Sequence, residues 1–338
     1  MMNGKLSTFV RRSWVGQGGV PGYLLSGMLA PASWVYGSLV SMRNRVYDRR
    51  GGVRVRGLRV VSVGNLAVGG TGKTPFAAWI ARFLSERGTT AAIVSRGYGR
   101  DELLLHRRWN PQVHLEAHPD RVLAAQRARE AGATVVVLDD GFQHRRLARD
   151  LDLVLLAAED PFPGRLLPTG PYREPAASLA RAEVILVTRR TASSERALAI
   201  LQRARDFAPS RLVGVVRLAA GGWLDLGGKQ IVAPSGDALV VAAVGRPEDF
   251  RENVAVLLGR EVALLAFPDH HEYRDDDIRR ITTVADGRSV VITEKDAVKL
   301  APWASELPDA HVLTQRIVWE SGRDELEMRI SEAVGGLS

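Results

Sequence analysis

The stretch from Val60 to Pro75, VVSVGNLAVGGTGKTP, constrains the fold more than any other part of the chain. The short apolar run Leu58–Val63 predicts a buried strand, and the apolar residues after the stretch recur at helical spacing. Between them, glycines let the backbone curl so that its N–H groups point inward at a polyphosphate. Strand, glycine-rich loop, Lys-Thr and helix form a P-loop, although Ala67 stands where the motif begins with glycine.

The P-loop assigns roles to the residues of this turn. Its amides and the N-terminus of the following helix bind the phosphates of ATP. Lys73 reaches the β- and γ-phosphates, and the Thr74 hydroxyl binds Mg²⁺. The predicted ATP-binding residues are therefore Val68, Gly69, Gly70, Thr71, Gly72, Lys73 and Thr74.

Composition sets limits on partners and compartment. The chain has 338 residues, enough for one large or two modest domains, and it contains no cysteine, which excludes disulfides and thiolate sites. A net charge of +8 favours an anionic partner: nucleic acid, an anionic membrane face or a phosphorylated substrate. The chain lacks the interleaved aromatic and basic residues of a single-strand platform, so no nucleic-acid partner is predicted, and no obligate protein partner either.

Residues 1–50 are predicted to form an N-terminal helical segment that associates with a membrane. No charged residue occurs from Ser13 to Met42, while arginines flank the segment on both sides. This pattern favours a helix lying in an anionic leaflet. A transmembrane span and a helical hairpin packed on the domain are the alternatives, and a signal peptide is disfavoured because the apolar stretch is interrupted.

After the P-loop, strand and helix patterns alternate, which predicts an α/β protein with a P-loop NTPase-like, largely parallel sheet. The P-loop core is predicted at 51–190, and a second, smaller α/β domain at 191–338. The second strand is followed by SRGYGRDE, Ser95–Glu102, which is interpreted as a polar loop at the edge where an α/β sheet binds ligands.

A second apolar run, in TVVVLDDGFQHRR, ends in two carboxylates, Asp139 and Asp140. A buried strand that ends in a carboxylate has the form of a Walker B strand, whose acid binds Mg²⁺ directly or through water. Either aspartate fits that role, and a helix N-cap is the alternative for one of them.

Candidate catalytic groups follow two other predicted strands. Asp269, His270 and His271 are consecutive, and alternation along an extended segment would point the two histidines to different sides. A carboxylate paired with a histidine makes a competent general base for a hydroxyl acceptor, and Asp101 is the candidate carboxylate. A zinc site is disfavoured, because the chain has no cysteine and no paired histidine spacing.

Arginines supply candidate phosphate contacts. Arg173, in GPYRE, follows a loop rich in proline and glycine and would stabilise charge on a transferring phosphoryl group. Arg96 and Arg121 are weaker candidates, since surface ion pairs explain many such residues.

Together these motifs resemble the tetraacyldisaccharide 4′-kinase family of lipid A biosynthesis in Gram-negative bacteria. The resemblance covers nearly the whole chain in order: GNLAVGGTGKTP, SRGYGR, DDGFQHRRLARD, LLPTGPYRE, FPDHHEY and TEKDAVKL. It implies transfer of the γ-phosphate of ATP, with Mg²⁺, to the 4′-hydroxyl of tetraacyldisaccharide 1-phosphate. It also implies a location at the cytoplasmic side of the inner membrane, peripheral or with a single N-terminal anchor.

The resemblance also implies residue roles. The family's catalytic aspartate lies in a Gly-Asp-Glu-Pro motif, which Asp101 matches with different flanking residues and a shorter spacer. The partner histidine falls in the DHH motif, as His271 by preference or else His270. Substrate contacts are expected at Asn65, Arg96, Arg121, Gln143 and His144.

A rival interpretation is a membrane-recruited P-loop ATPase that acts as a switch or positioning protein. It would hydrolyse ATP without a lipid acceptor, and it needs neither the GRLLPTGPYRE loop nor the DHH motif.

Overall fold

The computed structural model describes residues 10, 13–14, 18–97, 100–209, 211–307 and 309–335. Parts of the predicted N-terminal segment, and residues 98–99 of the predicted SRGYGRDE loop, lie outside these ranges. The chain forms two compact units. The first comprises the described parts of 1–98, 110–217 and 319–338, and the second those of 99–109 and 218–318, whereas the sequence predicts boundaries near residues 50 and 190.

Helices and strands alternate along most of the chain. In order they are α1 Gly19–Arg50, β1 Arg59–Asn65, α2 Lys73–Glu86, β2 Ala91–Ser95, α3 Arg100–Trp109, β3 His114–Ala117, α4 Arg121–Glu130, β4 Val135–Asp139, β5 Leu151–Ala157, β6 Val184–Arg189, α5 Ser194–Phe207, β7 Leu212–Leu224, β8 Gln230–Ile231, β9 Ala238–Ala242, α6 Pro247–Leu258, β10 Ala263–Ala266, α7 Asp275–Ala285, β11 Ser289–Thr293, α8 Glu294–Leu300, β12 Ala310–Trp319 and α9 Arg323–Val334, with short 3-10 helices at Ala176–Arg181 and Ala301–Trp303.

The first unit is built on a parallel sheet with the strand order β7-β6-β5-β1-β4-β2-β3. Its central strands are buried along their length, which explains why they are continuous runs of Val, Ile and Leu rather than alternating patterns. Val63 of β1 pairs with Asp139 of β4, so these two strands end at the same edge. The P-loop and the Asp139-Asp140 pair therefore leave the sheet side by side.

The predicted N-terminal segment contains one long helix, α1. Pro31 lies inside the helix, and large apolar side chains such as Met28 and Trp34 are exposed. On another face, Ser33 donates to the Leu166 carbonyl at 3.1 Å, and Asn44 donates to the Glu174 carboxylate at 2.8 Å. Across the ranges that the structure describes, no helix is both long enough and apolar enough to span a bilayer.

The second unit has a parallel sheet of order β10-β9-β11-β12, with the later part of β7 beside β12 and β8 antiparallel to β7. Helix α3 packs against α8 within this unit. The polar loop predicted to run from Ser95 to Glu102 is shorter than expected, because α3 begins at Arg100. Asp101 and Glu102 stand in its first turn, where carboxylates interact favourably with the helix dipole.

Glu174 is a buried anchor that joins α1 to the rest of the first unit. Its carboxylate is inaccessible to solvent and accepts hydrogen bonds from Asn44, Arg43 and Arg181. Burial raises the pKa of this carboxyl, but the bond and charge of Arg181 outweigh it and hold the pKa below its usual value. The anchor is therefore an ionised, fully paired group.

Replacing Glu174 with alanine should lower the free energy of unfolding by roughly 3 kcal/mol, because two arginines lose their buried counter-charge. Chemical denaturation measures the change. Glu130→Ala, which removes an exposed glutamate of the same unit, should change stability by no more than about 0.5 kcal/mol. Equal effects of the two substitutions would show that Glu174 does not anchor the helix.

Candidate active site

Hydrogen bonds from the ends of two strands, β1 and β6, hold the P-loop turn in place. Gly69 and Gly72 have φ values of 130° and 93°, which favour glycine. Asn65 donates from Nδ2 to the Thr71 hydroxyl at 3.1 Å, and Thr188 donates from its hydroxyl to the Thr71 carbonyl at 3.0 Å. The loop conformation is therefore fixed by the protein's own side chains.

Lys73 is the first residue of α2, and its ammonium folds back over the loop. Its Nζ lies 3.3 Å from the Gly69 carbonyl oxygen and 3.6 Å from Oδ1 of Asp140. Thr74 follows as the second residue of the helix. Val68 is partly exposed, and its amide donates to the Pro171 carbonyl at 2.8 Å. The predicted phosphate-binding residues thus occupy one continuous turn and helix start.

The two aspartates after β4 have different surroundings. Asp139 is the last residue of the strand and is buried. Asp140 follows with a left-handed backbone, at φ 58°, and its carboxylate accepts two hydrogen bonds from Nη1 of Arg173 at 3.0 and 3.2 Å. The structure therefore places Asp140 beside Lys73.

Asp140 is ionised. Burial raises the pKa of its carboxyl, but the nearby charges of Lys73 and Arg173 outweigh burial and lower it. Mg²⁺ in nucleotide sites takes one or two carboxylates together with phosphate oxygens, and the oxygens of Asp140 and Thr74 fit that donor set. Within the described part of the chain, no group of three or more acidic or histidine side chains is arranged to hold a metal ion.

Arg173 connects the GPYRE segment to the end of β1. Its Nη1 also donates to Oε1 of Gln143 at 3.3 Å, and Nε2 of Gln143 donates to the Asn65 carbonyl at 2.8 Å. The amide of Arg173 donates to the Leu66 carbonyl at 2.7 Å, and Tyr36 of α1 donates to the Arg173 carbonyl at 2.9 Å. The arginine is thereby held at the loop by main chain and side chain together.

The residues predicted to contact the substrate differ in how far their side chains are exposed to solvent. Asn65 and Arg121 are buried, at the P-loop and at the start of α4. Nη1 of Arg121 donates to the His118 carbonyl at 2.9 Å. Arg96 is exposed directly after β2, whereas Gln143 and His144 are half-buried after Asp140.

His144 is a neutral imidazole. Burial, together with the positive charge of Arg121, lowers the pKa of its ring to about 4. The charge of Arg121 also lowers the pKa of Asp140, so arginine, histidine and aspartate share one electrostatic environment.

In the second unit, α3 and the DHH loop bring Asp101 and His270 together. Nδ1 of His270 lies 3.0 and 3.2 Å from the two carboxylate oxygens of Asp101, and Asp101 is only 1% exposed. Burial raises the pKa of the Asp101 carboxyl, but the bond to His270 and the charges of Lys295 and Lys299 hold it well below its usual value. Asp101 is therefore an ionised, buried carboxylate and not a solvated acid.

The preference for His271 as the partner of Asp101 is wrong. Nε2 of His271 lies 2.9 Å from Oδ2 of Asp277, and its ring stacks on Phe267 with centroids 4.9 Å apart. The segment is a turn rather than an extended strand, and His270 has a left-handed backbone with φ 61°. The turn directs His270 to Asp101 and His271 to the start of α7.

A buried carboxylate supports this turn. Asp296 accepts from the Ala243 amide at 3.1 Å, from the Tyr273 hydroxyl at 2.9 Å and from the Thr293 hydroxyl at 2.7 Å. Lys299 donates from Nζ to the His271 carbonyl at 2.9 Å. The DHH turn is thus tied to β9 and α8 from within the core.

Two charged residues beside these sites were missed from the sequence. Lys295 lies 3.3 Å from Asp101, and the signals for it are its place just after a strand and its position in the TEKDAVKL motif. The guanidinium of Arg190 lies close to the P-loop. If Gly70 carried a Cβ atom, that atom would lie 4.0 Å from Nη2 of Arg190. The residue after β6 carries no motif that singles it out.

The parallel sheet, the braced loop and the Lys73–Asp140 pair define a protein with a P-loop NTPase-like fold. The family described as tetraacyldisaccharide-1-P 4′-kinase matches residues 25–103 and 101–334. The chain belongs to this family of kinases, as the motif resemblance predicts.

Individual relatives agree with this membership. A tetraacyldisaccharide 4′-kinase of Anaeromyxobacter sp. (strain K) is 39% identical over 327 residues, which cover 85% of this chain and 84% of the relative. Another, of Anaeromyxobacter sp. (strain Fw109-5), is 36% identical over 368 residues and covers 96% of both. The crystal structure of LpxK from Aquifex aeolicus in complex with ATP matches with a TM-score of 0.73 at 26% identity, over 92% of this chain and 99% of that one.

The imidazole of His144 should titrate with a midpoint of about 4 in NMR spectra of protein labelled with ¹⁵N-histidine. This pKa lies below the usual histidine value near 6.5. The neutral His144 therefore contributes to the free energy of unfolding above pH 6.5, and this contribution is lost as the pH falls toward 4. Arg121→Gln should raise the midpoint by up to about one unit, because a like charge is removed.

Arg127→Gln, which changes an exposed arginine of the same helix, is the matched control and should leave the midpoint in place. A His144 midpoint near the usual histidine value would contradict the buried, neutral assignment.

Proposed function

We propose that the chain transfers the γ-phosphate of ATP to the 4′-hydroxyl of tetraacyldisaccharide 1-phosphate, a step of lipid A biosynthesis. Family membership supports this reaction, and the names of the relatives specify the same acceptor. The observation that carries the proposal is the contact between Asp101 and His270 in a chain that also has a P-loop. A nucleotide-driven switch has no need of a dedicated proton acceptor for an alcohol.

ATP is held by the P-loop turn in this proposal. Loop amides between Gly69 and Thr74 surround the phosphates, and the Lys73 ammonium moves from Asp140 and the Gly69 carbonyl toward the β- and γ-phosphates. The ATP bound in the Aquifex aeolicus relative supports this assignment. Asp140 and the Thr74 hydroxyl would hold Mg²⁺, which neutralises charge on the phosphates.

Transfer forms a bond between the 4′-oxygen and the γ-phosphorus, and it breaks the bond between that phosphorus and the oxygen that leaves with ADP. The hydroxyl proton passes to the Asp101–His270 pair, with Asp101 as the acceptor and His270 as its partner. Arg173, steadied by Gln143, offsets charge on the transferring group. Phosphoryl transfer requires little covalent chemistry from the protein, so positioning of the reactants and electrostatic stabilisation supply most of the rate acceleration.

Acceptor contacts are assigned to the residues that remain accessible. Arg96 is a cation suited to a phosphate, and Gln143 and His144 offer polar groups beside Asp140. Because the pKa of His144 is near 4, its ring would contact the sugar as a neutral imidazole at cellular pH.

The exposed apolar side chains of α1 support a location on an anionic membrane face, where a lipid acceptor resides. Trp34 is 83% exposed and Met28 80% exposed, on a helix with Arg49 and Arg50 in its last turn. Apolar residues with basic flanks bind membrane interfaces. The proposed site of action is the cytoplasmic side of the inner membrane.

Incubating the full chain with Mg²⁺, γ-labelled ATP and tetraacyldisaccharide 1-phosphate in detergent should place label in the lipid. Lys73→Met should reduce transfer by at least about a hundredfold, because the cation that binds the phosphates is lost. Lys229→Met, at an exposed lysine, should transfer at the wild-type rate. Release of phosphate that does not depend on the lipid, with no labelled lipid, would refute the proposal and favour an ATPase switch.

A further inference from the structure

Lys295 contacts both members of the Asp101–His270 pair. It stands in the first turn of α8, directly after β11. Its Nζ lies 3.3 Å from Oδ2 of Asp101, 3.4 Å from Nε2 of His270 and 3.7 Å from Oδ1 of Asp269. One ammonium group therefore touches the carboxylate, the imidazole and a further acid.

These contacts fix where the imidazole carries its proton. The ionised carboxylate of Asp101 can only accept, so Nδ1 of His270 donates to it. The ammonium of Lys295 can only donate, so it favours a lone pair on Nε2. The neutral Nδ1–H tautomer satisfies both neighbours at once.

The acids around His270 act in the opposite direction. Asp101 lies at Nδ1, and Oδ1 of Asp269 lies 3.9 Å from Nε2. Two carboxylates would favour a charged imidazolium, which would leave Asp101 a very weak proton acceptor. The pKa of the His270 imidazole is raised overall, because the bond to Asp101 outweighs burial and the charge of Lys295, which both lower it. Lys295 thus counters the acids at the one nitrogen that Asp101 does not occupy.

We propose that Lys295 is a positioning residue that keeps a proton off Nε2 of His270, so that the Asp101–His270 pair retains the capacity to accept the hydroxyl proton. This inference rests on the proposed function, and Lys295 acts through the pair rather than on the reacting atoms. The other charged groups that act on the pair are Asp269 in the turn and Lys295 and Lys299 on α8.

The test is an NMR titration of the His270 imidazole in the full chain labelled with ¹⁵N-histidine, with the resonance assigned by its loss in His270→Gln. Lys295→Met should raise the midpoint by roughly one pH unit, because a cation beside Nε2 is removed. Lys295→Arg retains the charge and should restore a midpoint near that of the wild type. Lys229→Met, at an exposed lysine of the same unit, should not move it.

The same variants give a kinetic readout. In Lys295→Met, the acidic limb of kcat/KM against pH should move upward with the NMR midpoint, and Lys295→Arg should return it. Lys295→Gln, which keeps a donor without the charge, replaces the methionine variant if that variant does not fold, and the same upward shift is expected.

The outcomes separate this inference from the proposed function. A His270 midpoint that is unchanged or lower in Lys295→Met would overturn the role of Lys295. A loss of rate that is equal at every pH, with no shift of the acidic limb of kcat/KM, would also overturn it. Absence of labelled lipid with the wild-type chain would refute the kinase proposal instead, and the midpoint of His270 would still decide whether Lys295 controls its proton.

Discussion

The parallel pairing of β1 with β4 is the constraint on which the nucleotide site depends. Because Val63 is in register with Asp139, the P-loop and the two aspartates leave the sheet at the same edge. Lys73 and Asp140 then come within 3.6 Å, and Arg173 completes a set of two cations around one carboxylate. The geometry follows from two runs of apolar residues that can only be buried side by side.

The second unit holds a buried, ionised carboxylate against a partly exposed imidazole. A buried aspartate, Asp296, ties the turn that carries His270 to the strand β9. The carboxylate of Asp101 comes from the first turn of a helix, where its charge is also favoured by the helix dipole. Two lysines on α8 balance the acids, so the cluster has its charges paired.

Much of the fold could be predicted from the sequence, because buried parallel strands and glycine turns are local patterns. The P-loop, the strand before Asp139 and the Asp101 candidate were found in this way. The two histidines have different partners, as alternation led us to expect, but the preference for His271 came from the motif resemblance, and the left-handed turn at His270 is what brings that residue to Asp101. Lys295 was missed because its role depends on contacts with Asp101, which is 194 positions earlier in the chain and therefore outside any local pattern.

The central claim is that Asp101 takes the proton of the acceptor hydroxyl while a separate group of residues holds ATP. Measuring lipid phosphorylation and ATP affinity side by side in Asp101→Asn tests it most directly, with Asp276→Asn as the exposed control. The account predicts that transfer falls by at least about a hundredfold, while ATP affinity and the control stay near wild type. Transfer at the wild-type rate in purified, folded Asp101→Asn would contradict the account.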